Sequence, residues 1–159
     1  MLHAMRIIAF EPRHAEAWKR LNEAWIGKHF ALEPSDAKVL DHPVEQVIAP
    51  GGRIFIAEDA QGAAIGCAGL LVLDEVPGGG FEVIKMTVSE TARGTGLGRL
   101  LMDHCIAQAI AMGARRLYLE TNSSLAPALS LYRASGFVEL PPNDTPYARA
   151  DVFMERPLP

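Results

Sequence analysis

The stretch Val83-Ile84-Lys85-Met86-Thr87-Val88, continued by Arg93-Gly94-Thr95-Gly96-Leu97-Gly98, decides the architecture. An apolar, β-branched run ends, a short turn follows, and Gly96 opens a segment reaching Met112. Leu97, Leu100, Leu101, Cys105 and Met112 recur there at helical spacing, and Gly113 closes it. The pattern predicts strand, turn and helix. A helix N-terminus carries unpaired N–H groups and partial positive charge. Glycines allow close approach of an anion, and Arg93 adds a fixed cation. Arg93, Gly94, Thr95, Gly96, Leu97 and Gly98 therefore form a candidate phosphate-binding turn. The alternative is a β-to-α turn whose glycines serve backbone geometry alone. The dinucleotide fingerprint is not met, because Leu101 stands in place of the last glycine, and no Gly-Lys-Ser/Thr follows.

Upstream of this stretch, Met5 to Phe10 reads as a first strand. His14 to Lys28 reads as a helix with Ala17, Leu21, Ala24, Trp25 and Lys28 on one face. Ser35 to Leu40 predicts a second helix with Ser35 as its N-cap, and Pro43 to Ala49 a further helical turn. Arg53 to Glu58 and Ala63 to Leu73 predict strands joined by a hairpin at Asp59 to Gly62. A flexible turn at Asp74 to Gly80 leads into a strand at Phe81 to Val88, completing an antiparallel meander. Downstream, Arg116 to Thr121 predicts a strand. A helix capped by Ser123 or Ser124 then runs to Gly136, with Pro127 in its first turn. Phe137 to Leu140 and Ala148 to Glu155 predict a final strand pair. The expected fold is a single α+β domain over residues 1–159, a mixed sheet with helices on both faces.

Composition narrows the function classes. A chain of 159 residues can bury one core without a disulfide or metal. The net charge of −4 argues against a broad nucleic-acid surface, so an anionic ligand requires a local device. Cys67 and Cys105 show no metal spacing, and the five histidines form no ligand pair, which predicts no protein-bound metal. No apolar run is long enough to span a bilayer. The N-terminal segment does not read as a signal peptide, which points to a cytoplasmic protein. Met5 is an alternative start to Met1.

The residues so far resemble motif A of the GNAT superfamily of N-acetyltransferases, R/Q-x-x-G-x-G/A, met by Arg93, Gly96 and Gly98. The resemblance extends to Val83–Val88 as the family's fourth strand and to Leu117-Tyr118-Leu119-Glu120-Thr121-Asn122 as its fifth. Ala128-Leu129-Ser130-Leu131-Tyr132 with Gly136-Phe137 is similar to its A-x-x-L-Y…G-F motif. Specific resemblance covers about residues 81 to 140. The ending Tyr147 to Met154 resembles a bacterial subgroup. The resemblance implies acetyl-CoA as co-substrate, with its pyrophosphate on the glycine turn. It also implies that the fourth and fifth strands splay, and that backbone groups at Met86, Thr87 and Val88 contact the pantetheine and polarise the acetyl carbonyl.

Amide formation from a thioester requires a neutral amine, a stabilised oxyanion and a protonated leaving thiolate. The resemblance casts Tyr132 as the acid. On spacing alone, a core tyrosine is the alternative. Glu82 is the candidate base. Strict alternation places it on one face with Ile84, Met86 and Val88, among apolar neighbours that would raise its pKa, unless a bulge changes its face. An edge glutamate facing solvent is the other reading. Lys85 then falls on the opposite face with Phe81, Val83 and Thr87, in a salt bridge or with a snorkelled stem. Asn122 either contacts the cofactor arm or caps the next helix. Arg99 and Arg133 either reach its phosphates or are solvated. Trp25, Phe30, Asn143, Asp144 and Tyr147 are acceptor-site candidates by resemblance, or packing and loop residues. The expected activity is acetyl transfer to a small-molecule or amino-acid-like primary amine. A non-catalytic CoA-binding sensor and a protein N-terminal or lysine acetyltransferase are the alternatives. Homodimerisation is common in the family.

Overall fold

The computed structural model describes residues 4–73 and 79–159. Most of the expected turn from Asp74 to Gly80, and Met1, lie outside those residues. Seven strands form one sheet: β1 (Arg6–Ala9), β2 (Arg53–Glu58), β3 (Ala64–Leu73), β4 (Gly80–Val88), β5 (Arg116–Thr121), β6 (Val138–Leu140) and β7 (Val152–Pro157). Their order is β1-β2-β3-β4-β5-β7-β6. The first four run antiparallel as a meander. β5 joins β4 in parallel, which requires a crossover, and α3 (Leu97–Ala111) supplies it. The expected α+β mixed sheet is therefore present.

Helices cover both faces, and the apolar side chains sort accordingly. Trp18, Leu21 and Ile26 of α1 (Ala15–His29) and Val39 and Leu40 of α2 (Pro34–Asp41) pack with Ile54, Ile56 and Cys67 on one face. Leu97, Leu101, Met102 and Cys105 of α3, with Leu129 of α4 (Ala126–Ala134), pack with Phe55, Leu70, Leu117 and Met154 on the other. Both cysteines are free and buried, as core packing predicts. The Cys67 thiol is pushed up to about 12 by burial, which makes it inert at neutral pH.

Several local expectations are corrected. The inner face of α1 carries Trp18, Leu21, Asn22 and Ile26, and Ala24 and Lys28 are exposed. The indole of Trp18 donates to the Val39 carbonyl at 2.9 Å, which anchors this rotation. Leu100 of α3 is exposed, and Met102 and Ala109 are buried instead. α2 is capped by Glu33 rather than Ser35. Pro34 takes the first helical position, and Glu33 and Asp36 close a reciprocal capping box. The residue before α4 is Leu125, not a serine. Ser123 turns away to pair with Asp151. β7 begins at Val152, later than Ala148, because Tyr147 to Ala150 form a turn.

The correction with most consequence is in β4. Between the pairs Cys67↔Thr87 and Gly69↔Ile84, β3 has one residue and β4 has two, Lys85 and Met86. Lys85 adopts φ 52°. This β-bulge inverts the alternation beyond it. Phe81, Val83, Met86 and Val88 all join the α3 face, while Ile84 joins the α1 face. Glu82 therefore does not share a face with Met86 and Val88, and Lys85 does not share one with Phe81 and Val83.

Candidate active site

β4 and β5 pair over only three residues each, Gly80 to Glu82 against Arg116 to Tyr118. Beyond Glu82 the strands part, and a cavity of about 260 Å³ occupies the gap. The divergence has a local cause, because the bulge at Lys85 and Met86 adds length and twist to β4 just past the last pair. The cavity reaches both faces of the sheet. On one side stand Arg93, Gly98, Leu131 and Tyr132. On the other stand Trp25, Phe30, Tyr147 and Arg149.

On the first side, Gly94 and Gly96 have φ of 74° and 86°, a region where a Cβ is penalised. Their role is to form the turn. Gly98 differs. Its φ is not in that region, and an added Cβ would meet only ordinary contacts, Leu131 Cδ2 at 3.6 Å and Val88 Cγ2 at 4.0 Å. The fold itself does not demand glycine here, so its bareness leaves space for something beside the helix. The first α3 hydrogen bond is Leu100 N–H to Gly96 C=O. The N–H groups before it, at Leu97, Gly98 and Arg99, lack helical acceptors. Together with Arg93, these groups fit an anionic, phosphate-bearing ligand. Thr95 donates its hydroxyl to the Ala92 carbonyl and so tightens the turn. The Leu97 side chain is core, and Arg99 is turned to Asp103 at 3.1 Å. Neither of these side chains lines the cavity, nor does Arg133, which faces Glu139 at 3.9 Å.

Tyr132 lines the gap, with its ring edge-on to Phe137 at 6.3 Å. Burial pushes its phenol up to about 12, so the hydroxyl keeps its proton at neutral pH. Asn122 also lines the cavity, but its polar atoms are engaged. It donates to the Arg149 carbonyl at 2.7 Å and accepts the Ser124 N–H at 2.8 Å, so it shapes the entry to α4 without being the residue next to the helix.

On the opposite side, Glu82 and Glu120 bring carboxylates to the cavity wall. Glu82 lies in the field of Lys85 and the phenols of Tyr118 and Tyr147, not among apolar side chains alone. Trp25, Phe30 and Tyr147 supply rings, whereas Asn143 and Asp144 lie outside the lining. The Lys85 ammonium sits 4.6 Å from the Tyr147 ring centroid, and the Arg149 guanidinium 4.7 Å from the same ring. Both cations are tied to Asp36 (2.5 Å from Lys85, 2.6 Å from Arg149). Burial opposes ionisation of Asp36, but hydrogen bonds from Arg149, Lys85 and the Glu33 N–H outweigh it and hold the carboxyl at about 2. The expectation of a salt bridge for Lys85 is met. Its partner Asp36, and Arg149 on the same carboxylate, are distant in sequence and carry no local signal. Among the described residues there is no cluster of three or more histidine, cysteine or carboxylate side chains able to hold a metal ion, and no helix is long and apolar enough to cross a membrane.

The sequence model of the acetyltransferase (GNAT) family matches residues 13–137. An IAA acetyltransferase of Azospirillum brasilense is 35% identical over 115 residues, covering 71% of this chain and 73% of that protein. An acetyltransferase of the GNAT family from Staphylococcus aureus Mu50 superposes with a TM-score of 0.86 at 21% identity, over 98% of this chain and 100% of that one. The Salmonella typhimurium protein yncA, solved with its cofactor acetyl-CoA, superposes at 0.77 and 22% identity, over 98% of this chain and 94% of that one. At these identities the structural likeness is one of fold.

Proposed function

Since this chain belongs to the acetyltransferase (GNAT) family, we propose that it uses acetyl-CoA to acetylate a small-molecule primary amine, amino-acid-like in kind, by direct attack on the thioester. One observation carries this reading. A single cavity joins Arg93 and Gly98 at the start of α3, on one face of the sheet, to a ring-lined recess with Glu82 and Glu120 on the other, and Tyr132 stands on its wall. The first end suits a pyrophosphate, and the second suits a cationic amine.

Acetyl-CoA supplies the activated carbonyl. The residues of this chain do the rest. Arg93 and the N–H groups opening α3 hold phosphate, and the bare flank of Gly98 admits it. Past Glu82, the edge of β4 facing β5 has no strand partner, so backbone groups at Met86 to Val88 are available to hold an acyl oxygen. Such fixed dipoles stabilise charge without reorganising. Glu82 accepts the proton that the amine must lose. Tyr132 holds a proton on Oη that it can give to a departing sulfur.

The test is CoA release from acetyl-CoA against a panel of chemically varied amines, run beside calorimetric binding of acetyl-CoA. Amine-stimulated release supports the transferase reading. Tight binding with no release from any amine would make the protein a CoA sensor. Release only with peptide N-termini or lysines would assign it to protein acetylation.

A further inference from the structure

Lys85 is the one non-glycine residue among those described with positive φ. For a residue with a Cβ this conformation is disfavoured, so a bulge built on it needs an external hold. Three contacts converge on it, and two of them come from the helical layer. The Lys85 side chain is only 7% exposed, and its ammonium donates to Asp36 Oδ1 at 2.5 Å. The Lys85 carbonyl accepts from the Cys67 thiol at 3.5 Å. Two residues on, the Thr87 hydroxyl donates to Asn22 Oδ1 at 2.7 Å, and Asn22 is fixed in turn on the Trp18 carbonyl at 2.9 Å. Met86 lies between these tethers, on the part of β4 that has already left β5.

Asp36 is the hub of this arrangement. It is fully buried and accepts from Lys85, from both Nη atoms of Arg149 and from the Glu33 N–H. It thereby ties α2, which stands behind the cavity, to the bulge of β4 and the turn before β7, which line it.

We propose that Asp36 is a positioning residue for acetyl transfer: by anchoring the Lys85 ammonium it maintains the left-handed turn of β4, and so keeps the backbone at Met86 and Thr87 aimed into the gap. The kinetic consequence rests on the acetyltransferase reading above. The conformational one does not.

The experiment compares Asp36→Asn, Lys85→Ala, Lys85→Gly and the double variant Asp36→Asn with Lys85→Gly. Each is read by the φ of residue 85 in a crystal structure of the free protein, and by kcat and KM for acetyl-CoA with an amine found active in the screen. Asp36→Asn is expected to move Lys85 out of the left-handed region and to lower kcat on the order of tenfold, the population lost when an unheld Cβ occupies it. Its KM for acetyl-CoA should change less than about threefold, because the phosphate turn is untouched. Glycine takes this φ unaided. The double variant should therefore recover most of the kcat lost in Asp36→Asn, and Lys85→Gly should outperform Lys85→Ala. Equal losses in those two would overturn the proposal, since the ammonium itself would then be what matters. Retention of both the turn and kcat in Asp36→Asn would overturn it too. If Asp36→Asn does not fold, the comparison of Lys85→Gly with Lys85→Ala decides, because Asp36 keeps Arg149 there. If the unaltered protein transfers acetyl to no amine, the activity reading fails separately, and the φ of residue 85 decides this proposal alone.

Discussion

Tyr118 donates its hydroxyl to Glu120 at 2.8 Å, two residues further along β5, and Thr145 donates to the other oxygen of the same carboxylate. Glu120 thus has a hydroxyl on each oxygen and ties the loop before β7 to the strand. This separates the roles of two carboxylates in one cavity. Glu120→Gln should loosen the loop around Thr145, lowering the melting temperature, and should leave the shape of the pH–rate profile unchanged. Glu82→Gln should lower kcat about 10²-fold, the scale of a lost general base, and shift the acidic limb of that profile. An unshifted limb would remove Glu82 from proton transfer.

Tyr132→Phe keeps the ring against Phe137 and removes only the hydroxyl. The expected result is a fall in kcat of about 10²-fold with a calorimetric Kd for acetyl-CoA within about threefold of the parent. A tyrosine serving only as packing would leave both unchanged.

The two kinds of glycine in the turn should answer oppositely to alanine. Gly98→Ala adds a methyl that meets only ordinary contacts in a helix and should raise stability by roughly 0.5–1 kcal/mol. It should also weaken acetyl-CoA binding, because the new methyl takes room beside the N–H groups. Gly96→Ala forces a Cβ onto φ 86° and should destabilise by about 1–2 kcal/mol. Urea unfolding and calorimetry on both variants check the pair. A Gly98→Ala protein that binds acetyl-CoA normally would place the phosphates elsewhere.

Acid should unfold the protein through two buried carboxylates. Glu58 accepts from His14 at 2.8 Å and from Arg13 at 2.7 Å. These contacts, with Arg6, overcome burial and hold it at about 2 against an ordinary 4.5. Asp36 is likewise held at about 2 against 3.8. A depressed carboxyl contributes stability that is complete above its ordinary pKa and is lost as pH falls towards its folded one. Unfolding free energy should therefore be level down to about pH 5 and fall between about 4.5 and 2, by up to about 1.4 kcal/mol per pH unit for each group. Urea titrations at stepped pH measure this, and Glu58→Gln should flatten the slope.

The parts readable from sequence were those encoded locally. Gly94, Gly96 and Gly113 mark places where the backbone takes positive φ, and the strand–turn–helix from Val83 to Met112 follows from periodicity. The bulge was not readable in the same way. One extra residue leaves every side chain in place in the sequence while reversing which face it meets. The only local sign is the adjacent apolar pair Val83 and Ile84, where the alternation of apolar and polar positions slips by one. Asp36 lies 49 residues from Lys85 and 113 from Arg149, and nothing near any of the three announces the other two. The cap of α2 departs from local preference for a related reason. Ser35 has the better intrinsic preference, but Pro34 fits the first helical position and shifts the cap back to Glu33.

The short pairing of β4 with β5 has a mechanical side. β1 to β4 come from one continuous stretch of chain, and β5 to β7 from another. The sheet is therefore two half-sheets joined along a seam three residues long. Such a seam is the compliant line of the molecule. Its amides should exchange with solvent sooner than those between β2 and β3, and should slow when a ligand wedges the halves into one stiff body.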